Sequence, residues 1–217
     1  MLPKFVVRFI TSITFFMFRL PDHFFQSTDV VGISRALLGK FLVTNFEDRL
    51  TAGRIVETEA YRGPDDKACH AHLNRFTKRT QVMFEAGGVA YIYLCYGIHH
   101  LFNVVTAEAG MPHAILIRAI EPTDGIEIMQ ERRGMNTLKP QLTAGPGVMS
   151  KALGIDKAYT GISITDPGSP IWIEDRQEVL PPEDICSGPR IGIDYAEECK
   201  DWSWRFWIKG NRWVSKK

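Results

Sequence analysis

Gly53-Arg54-Ile55-Val56-Glu57-Thr58-Glu59-Ala60-Tyr61 is the stretch on which the reading of this chain turns. It is rich in β-branched residues and has no helical repeat, so residues 53–60 read as a β-strand. Alternate side chains of a strand share a face, which places Glu57 and Glu59 together with Ile55. One of two acids beside an aliphatic residue can sit partly dehydrated, where its proton affinity rises towards that of a working base. The same pattern also fits an edge strand carrying solvated glutamates. Arg62-Gly63-Pro64 then turns the chain back over the strand.

Upstream, residues 29–38 read as a helix, with Ser27, Thr28 or Asp29 as cap and Gly39 just past its end. Residues 41–44 form a further strand, joined to 53–60 through a turn near Asp48. Downstream lie a polar loop from 62 to about 80 and strands at 89–96, 102–106 and 114–120, the last two separated by a Gly110 turn. Asp124 is placed to cap a helix through Gln130 to Arg133, and residues 150–153 belong to another short helix. Short strands are expected at 162–164, 171–174 and 203–208. Strands in the middle and helices at both ends indicate an α+β fold rather than a regular βαβ repeat.

With 217 residues, 45% of them hydrophobic, the chain can bury the core of a single domain, expected over residues 21–217. Residues 1–20 form an N-terminal extension whose order the sequence leaves open. Its apolar run, 9–18, is too short to span a bilayer and lacks a small-residue cleavage site, so neither membrane insertion nor secretion is expected. Cys69, Cys95, Cys186 and Cys199 are scattered without zinc-ligand spacing, which suits reduced cytosolic thiols and no metal. The net charge of +1 excludes a strongly basic nucleic-acid binder. A phosphate-binding surface must then be local. Two patches qualify: His70, His72, Arg75, Lys78 and Arg79 in an acid-free loop, and Lys200, Arg205, Lys209, Arg212, Lys216 and Lys217 against Asp201. Trp202, Trp204, Trp207 and Trp213 interleave with the second patch and are expected mostly in the core.

Two further constellations carry chemistry. In Tyr91-Ile92-Tyr93-Leu94-Cys95-Tyr96-Gly97, alternation puts Tyr91, Tyr93 and Cys95 on one face and Tyr96 opposite, near the strand end. An aromatic residue projecting from a turn can stack on bases or wedge between them, although an aromatic core strand gives the same pattern. Asn103 and Arg118 lie on neighbouring strands. A buried Asn can inspect a base edge. A buried Arg requires an anionic partner, a carboxylate in a structural salt bridge or a phosphate.

In order and spacing, these motifs resemble the 3-methyladenine (alkyladenine) DNA glycosylase family, the mammalian-type enzymes and their bacterial relatives. Leu116-Ile117-Arg118-Ala119-Ile120-Glu121-Pro122, Gly145-Pro146-Gly147 and Arg190-Ile191-Gly192-Ile193 extend the match across most of the chain. The resemblance implies a single mixed domain with a curved antiparallel sheet flanked by helices, similar to the C-terminal domain of methionyl-tRNA formyltransferase. It implies a monofunctional glycosylase that needs no cofactor and acts on alkylated or deaminated purines in double-stranded DNA, as a monomer in the cytoplasm at the bacterial nucleoid. By the same resemblance Glu59 is the general base, and Arg118 and the Ile191 carbonyl position the water. Tyr61, His70 and Tyr93 stack on the flipped base, Asn103 forms the pocket floor and Tyr96 is the wedge. A lesion-binding module without catalysis is the alternative.

Overall fold

The computed structural model describes residues 18–215. Their strands are β1 (Phe41–Phe46), β2 (Arg49–Arg62), β3 (Ala90–Cys95), β4 (His99–Thr106), β5 (His113–Asp124), β6 (Ile171–Glu174), β7 (Ile185–Gly188) and β8 (Arg205–Ile208). All pair antiparallel in one open sheet of order β3-β4-β5-β2-β1-β6. Beyond the end of β1, β8 takes over the free edge of β2 at Glu57–Glu59 and carries β7 outside it. The helices are α1 (Asp22–Phe25), α2 (Val30–Ala36), α3 (Ile126–Arg133) and α4 (Pro146–Leu153). The result is a mixed α/β domain whose sheet is flanked by helices.

Strand alternation divides the interior in two. Ile92, Phe102, Val104, Ile115 and Ile117 point into the main core, where Leu37, Met149, Ala152 and Leu153 of the helical layer meet them. The intervening residues Tyr91, Val105 and Ala114 point the other way, under a lid of Cys69, Ala71, Val82 and Met83 from the loop after β2. That second face is where the chemistry-bearing side chains collect.

The expected strand at 53–60 is the middle of a longer one, and it is central. Glu57 and Glu59 are 0% exposed, which overturns the edge-strand reading. Ile55 does not stay with them: the register against β5 shifts on both sides of Glu57, and Ile55 packs in the main core opposite Ile120. Such a bulge re-aims the side chains that follow it. Asp29 caps α2, accepting from the Gly32 N–H at 2.8 Å. Asp124 does not cap α3: it is the last residue of β5, and the cap is Gly125 in a left-handed conformation (φ 65°). Residues 162–164 make one isolated bridge, Val89 to Ser163, rather than a strand. β7 escapes a period-2 search because its four residues, Ile185–Gly188, pair only at the sheet's outer edge. Of the four C-terminal tryptophans only Trp213 is buried. The others are half-buried under arginines, Arg62 over Trp204 at 4.9 Å and Arg205 over Trp207 at 4.7 Å. Most of the expected N-terminal extension falls outside the described residues; Leu20 is held by a 2.9 Å bond to the Ile173 carbonyl.

Candidate active site

Glu57 and Glu59 emerge on the second face two residues apart and have different company. Glu57 is saturated. Its Oε1 accepts from Arg118 Nε (3.1 Å), Arg205 Nε (2.7 Å) and Ser215 Oγ (2.9 Å), and its Oε2 from the Ser215 N–H (2.7 Å). Glu59 is less so. Its Oε1 accepts from the Ile191 N–H (2.8 Å) and faces Arg118 Nη1 at 3.2 Å, and its Oε2 accepts from the Tyr61 hydroxyl (2.7 Å). A carboxylate offers about four acceptor positions, so Oε2 retains one. Burial tends to discharge the Arg118 guanidinium, but the adjacent Glu59 and Glu57 raise its pKa above the ordinary arginine value. Burial above all, then Glu59, lifts the Tyr61 phenol well above its own.

A cavity of about 290 Å³ opens beside this carboxylate, at the lower end of the range of small-molecule sites. Its walls are aromatic. His70 meets Tyr93 edge-on at 4.6 Å, and Tyr91 lies 5.6 Å from Tyr93 at a shallow angle. Burial, with Arg79 and Arg75 adding to it, lowers the His70 pKa to about 4, so the imidazole is neutral at physiological pH. Asn103 donates to the carbonyls of Tyr91 and Leu101, both at 3.1 Å, which fixes its amide as a rigid part of the wall.

The wall is held from behind by Arg190. It is buried, donates to Asp66 Oδ1 at 2.8 Å and to the Ala60 carbonyl at 2.8 Å, and stacks 4.7 Å from the Tyr61 ring. This pair ties the loop after β2 to the segment carrying Ile191. At the mouth, Tyr96 is 91% exposed with φ +51°, followed by Gly97 at φ +74° in the β3–β4 turn. Beside the mouth a second, basic hollow is lined by Lys67, His72, Arg75 and Arg79, and it shares His70 and Tyr195 with the first.

Tyr61, His70, Tyr93, Tyr96, Asn103, Arg118 and Ile191 thus all line one cavity. Glu59 lies just behind, screened by Tyr61, Arg118 and Ile191. The Ile191 N–H reaches Glu59 directly, a contact that the sequence reading, which gave the Ile191 carbonyl a part in positioning the water, did not include. Sequence reasoning missed Tyr195, 64% exposed on the cavity rim, and the supports Asp66, Arg190 and Ser215. Asp66 and Ser215 bond to partners 124 and 158 residues away, and no local pattern signals such a contact. Among the described residues no group of His, Cys, Asp and Glu could hold a metal ion, and no helix is long and apolar enough to cross a membrane.

Comparison with known proteins identifies the family. A family model described as Methylpurine-DNA glycosylase (MPG) matches residues 23–212. A protein of Chlamydia felis named "Putative 3-methyladenine DNA glycosylase" is 50% identical over 188 residues, covering 86% of this chain and 94% of its own. Proteins of the same name from Bacillus licheniformis and Bacillus cereus are 46% and 45% identical, covering 88% and 91% of this chain and 94% and 98% of their own. The chain belongs to the methylpurine-DNA glycosylase family.

Proposed function

We propose that the protein is a monofunctional DNA glycosylase that flips a damaged purine out of duplex DNA and hydrolyses its N-glycosidic bond, leaving an abasic site. The observation that carries this reading is the convergence of the Ile191 N–H, Arg118 and the Tyr61 hydroxyl on Glu59 at the back of an aromatic cavity. Glu59 takes a proton from water bound at the remaining position of Oε2. General-base catalysis of this kind contributes roughly 10²–10⁴-fold. Arg118 and the Ile191 backbone, its carbonyl included, hold that water. Tyr61, His70 and Tyr93 stack on the extruded base, and Asn103 excludes guanine by meeting its exocyclic amino group. Tyr96 fills the gap in the duplex and offsets an extrusion cost of a few kcal/mol. No lysine lines the cavity among the described residues, which supports hydrolysis over a Schiff-base route.

The substrates are 3-methyladenine, whose positive charge eases departure, and hypoxanthine and ethenoadenine. One pocket suffices for one flipped base, so the protein works as a monomer, in the cytoplasm at the nucleoid. The likeness to the C-terminal domain of methionyl-tRNA formyltransferase and the extent of the domain over residues 21–217 belong to the same reading. The screening of Glu59 from the cavity favours a second one, a lesion-binding module without catalysis.

Labelled duplexes bearing one hypoxanthine or one ethenoadenine, treated with hot alkali after incubation, separate the two. Alkali-dependent cleavage lost in Glu59→Gln is expected. Cleavage without alkali would overturn monofunctional action. Lesion-selective binding that survives Glu59→Gln, without cleavage of either duplex or release of 3-methyladenine from methylated DNA, would establish the binding module.

A further inference from the structure

We propose that Arg79, His70 and Tyr91 form a one-way hydrogen-bond chain that leaves the Tyr91 hydroxyl proton as a donor to the base in the cavity, favouring neutral purines that carry an acceptor atom. The proposal rests on the reading of the cavity as a purine pocket.

The direction of the chain follows from its first member. A guanidinium only donates. Arg79 Nη2 lies 3.0 Å from His70 Nε2, so Nε2 is the accepting nitrogen. A neutral imidazole then carries its proton on Nδ1. His70 Nδ1 is 2.8 Å from the Tyr91 hydroxyl, whose oxygen therefore accepts. A chain of donors ending on a hydroxyl oxygen polarises its O–H bond outward. The Tyr91 proton itself has no acceptor among the described residues. Tyr91 is 2% exposed, and what it borders is the cavity. Buried donors rarely go unmatched, so a ligand atom is the natural partner.

Two other polar groups of this wall are committed. The Tyr61 hydroxyl donates to Glu59, and the Asn103 amide donates to two backbone carbonyls. Protonation states keep the chain intact over the physiological range. Burial lowers His70 to about 4, and burial, offset in part by Arg79, raises Tyr91 to about 12.

The chemistry of departure gives the selectivity. A cationic alkylated purine leaves as a neutral molecule. A neutral purine leaves with negative charge developing on the ring, and a donor aimed at that charge acts most strongly in the transition state. Tyr91 touches the substrate, whereas His70 and Arg79 act here through it, as positioning residues. No proton is transferred from Tyr91.

Single-turnover excision of hypoxanthine from duplex DNA is compared with release of 3-methyladenine from methylated DNA, for the wild-type protein, Tyr91→Phe, Arg79→Met and Arg79→Lys. Tyr91→Phe is expected to lower the neutral-to-cationic rate ratio by roughly five- to tenfold, the scale of one lost hydrogen bond. Arg79→Met lowers the ratio less, and Arg79→Lys, which keeps a donor, restores it. In parallel, nitrogen-15 NMR of the free protein is expected to show His70 protonated on Nδ1, and a mixture of tautomers in Arg79→Met. A proportional fall on both substrates in Tyr91→Phe, or a proton on His70 Nε2, would overturn the proposal. A wild-type protein that releases neither base would overturn the purine-pocket reading and the ligand named here, while the His70 tautomer would still decide whether the chain exists.

Discussion

Glu57 and Glu59 are the same residue type, two positions apart, equally buried, yet the residues around them prepare them for different work. Every strong donor near Glu57 belongs to the protein's own framework: two arginines and both polar groups of Ser215. Removing that carboxylate takes from the buried Arg205 its carboxylate partner and leaves Arg118 only Glu59 as counter-charge. Breaking a buried pair in this way costs about 3–5 kcal/mol, so Glu57→Ala should lower the melting temperature by on the order of 10 °C for a domain of this size, read by calorimetry. Glu59 is tied to the cavity wall instead, and its substitution is expected to register in excision. Strand alternation placed both acids on one face without distinguishing them, and only the family resemblance singled out Glu59. What distinguishes them is long-range: Arg205 and Ser215 arrive from 148 and 158 residues downstream.

The elements that carry the site were legible where a strand obeys period 2. Tyr91, Tyr93 and Cys95 share the cavity face as alternation requires, and Asn103 and Arg118 join them from β4 and β5. Where alternation breaks, the reading failed. The bulge near Val56 moved Ile55 to the other side, and a left-handed glycine did the capping assigned to Asp124. The β3–β4 hairpin shows a further conflict between levels. Its turn places Tyr96 at φ +51°, a region that bulky residues occupy at a cost of about 1–3 kcal/mol. Asn tolerates that region far better. Tyr96→Asn should therefore shift urea unfolding to higher concentration, a gain of about 0.5–1 kcal/mol, while excision from duplex DNA falls. A variant that is both less stable and fully active would show that the tip is shaped for something other than DNA.

At the scale of the whole molecule, a net charge of +1 conceals a polarised surface. Arg75 and Lys78 are exposed on the acid-free loop beside the cavity mouth. Each phosphate contact contributes about one unit to the slope of log affinity against log salt. Lys78→Ala should thus reduce that slope by about one for undamaged duplex, measured by fluorescence anisotropy across a salt series, and an unchanged slope would move the phosphate track elsewhere. The fold also sets an order in time. β2 leaves the ribosome well before the donors that settle Glu57 and the edge strand β8 that covers Glu57–Glu59. Until the segment through Ser215 has emerged, the nascent chain holds an uncovered acid-bearing strand, with Glu57 short of its donors. An unfinished chain is thereby held back from base excision, and the bare edge of β2 is open to mispairing until β8 arrives.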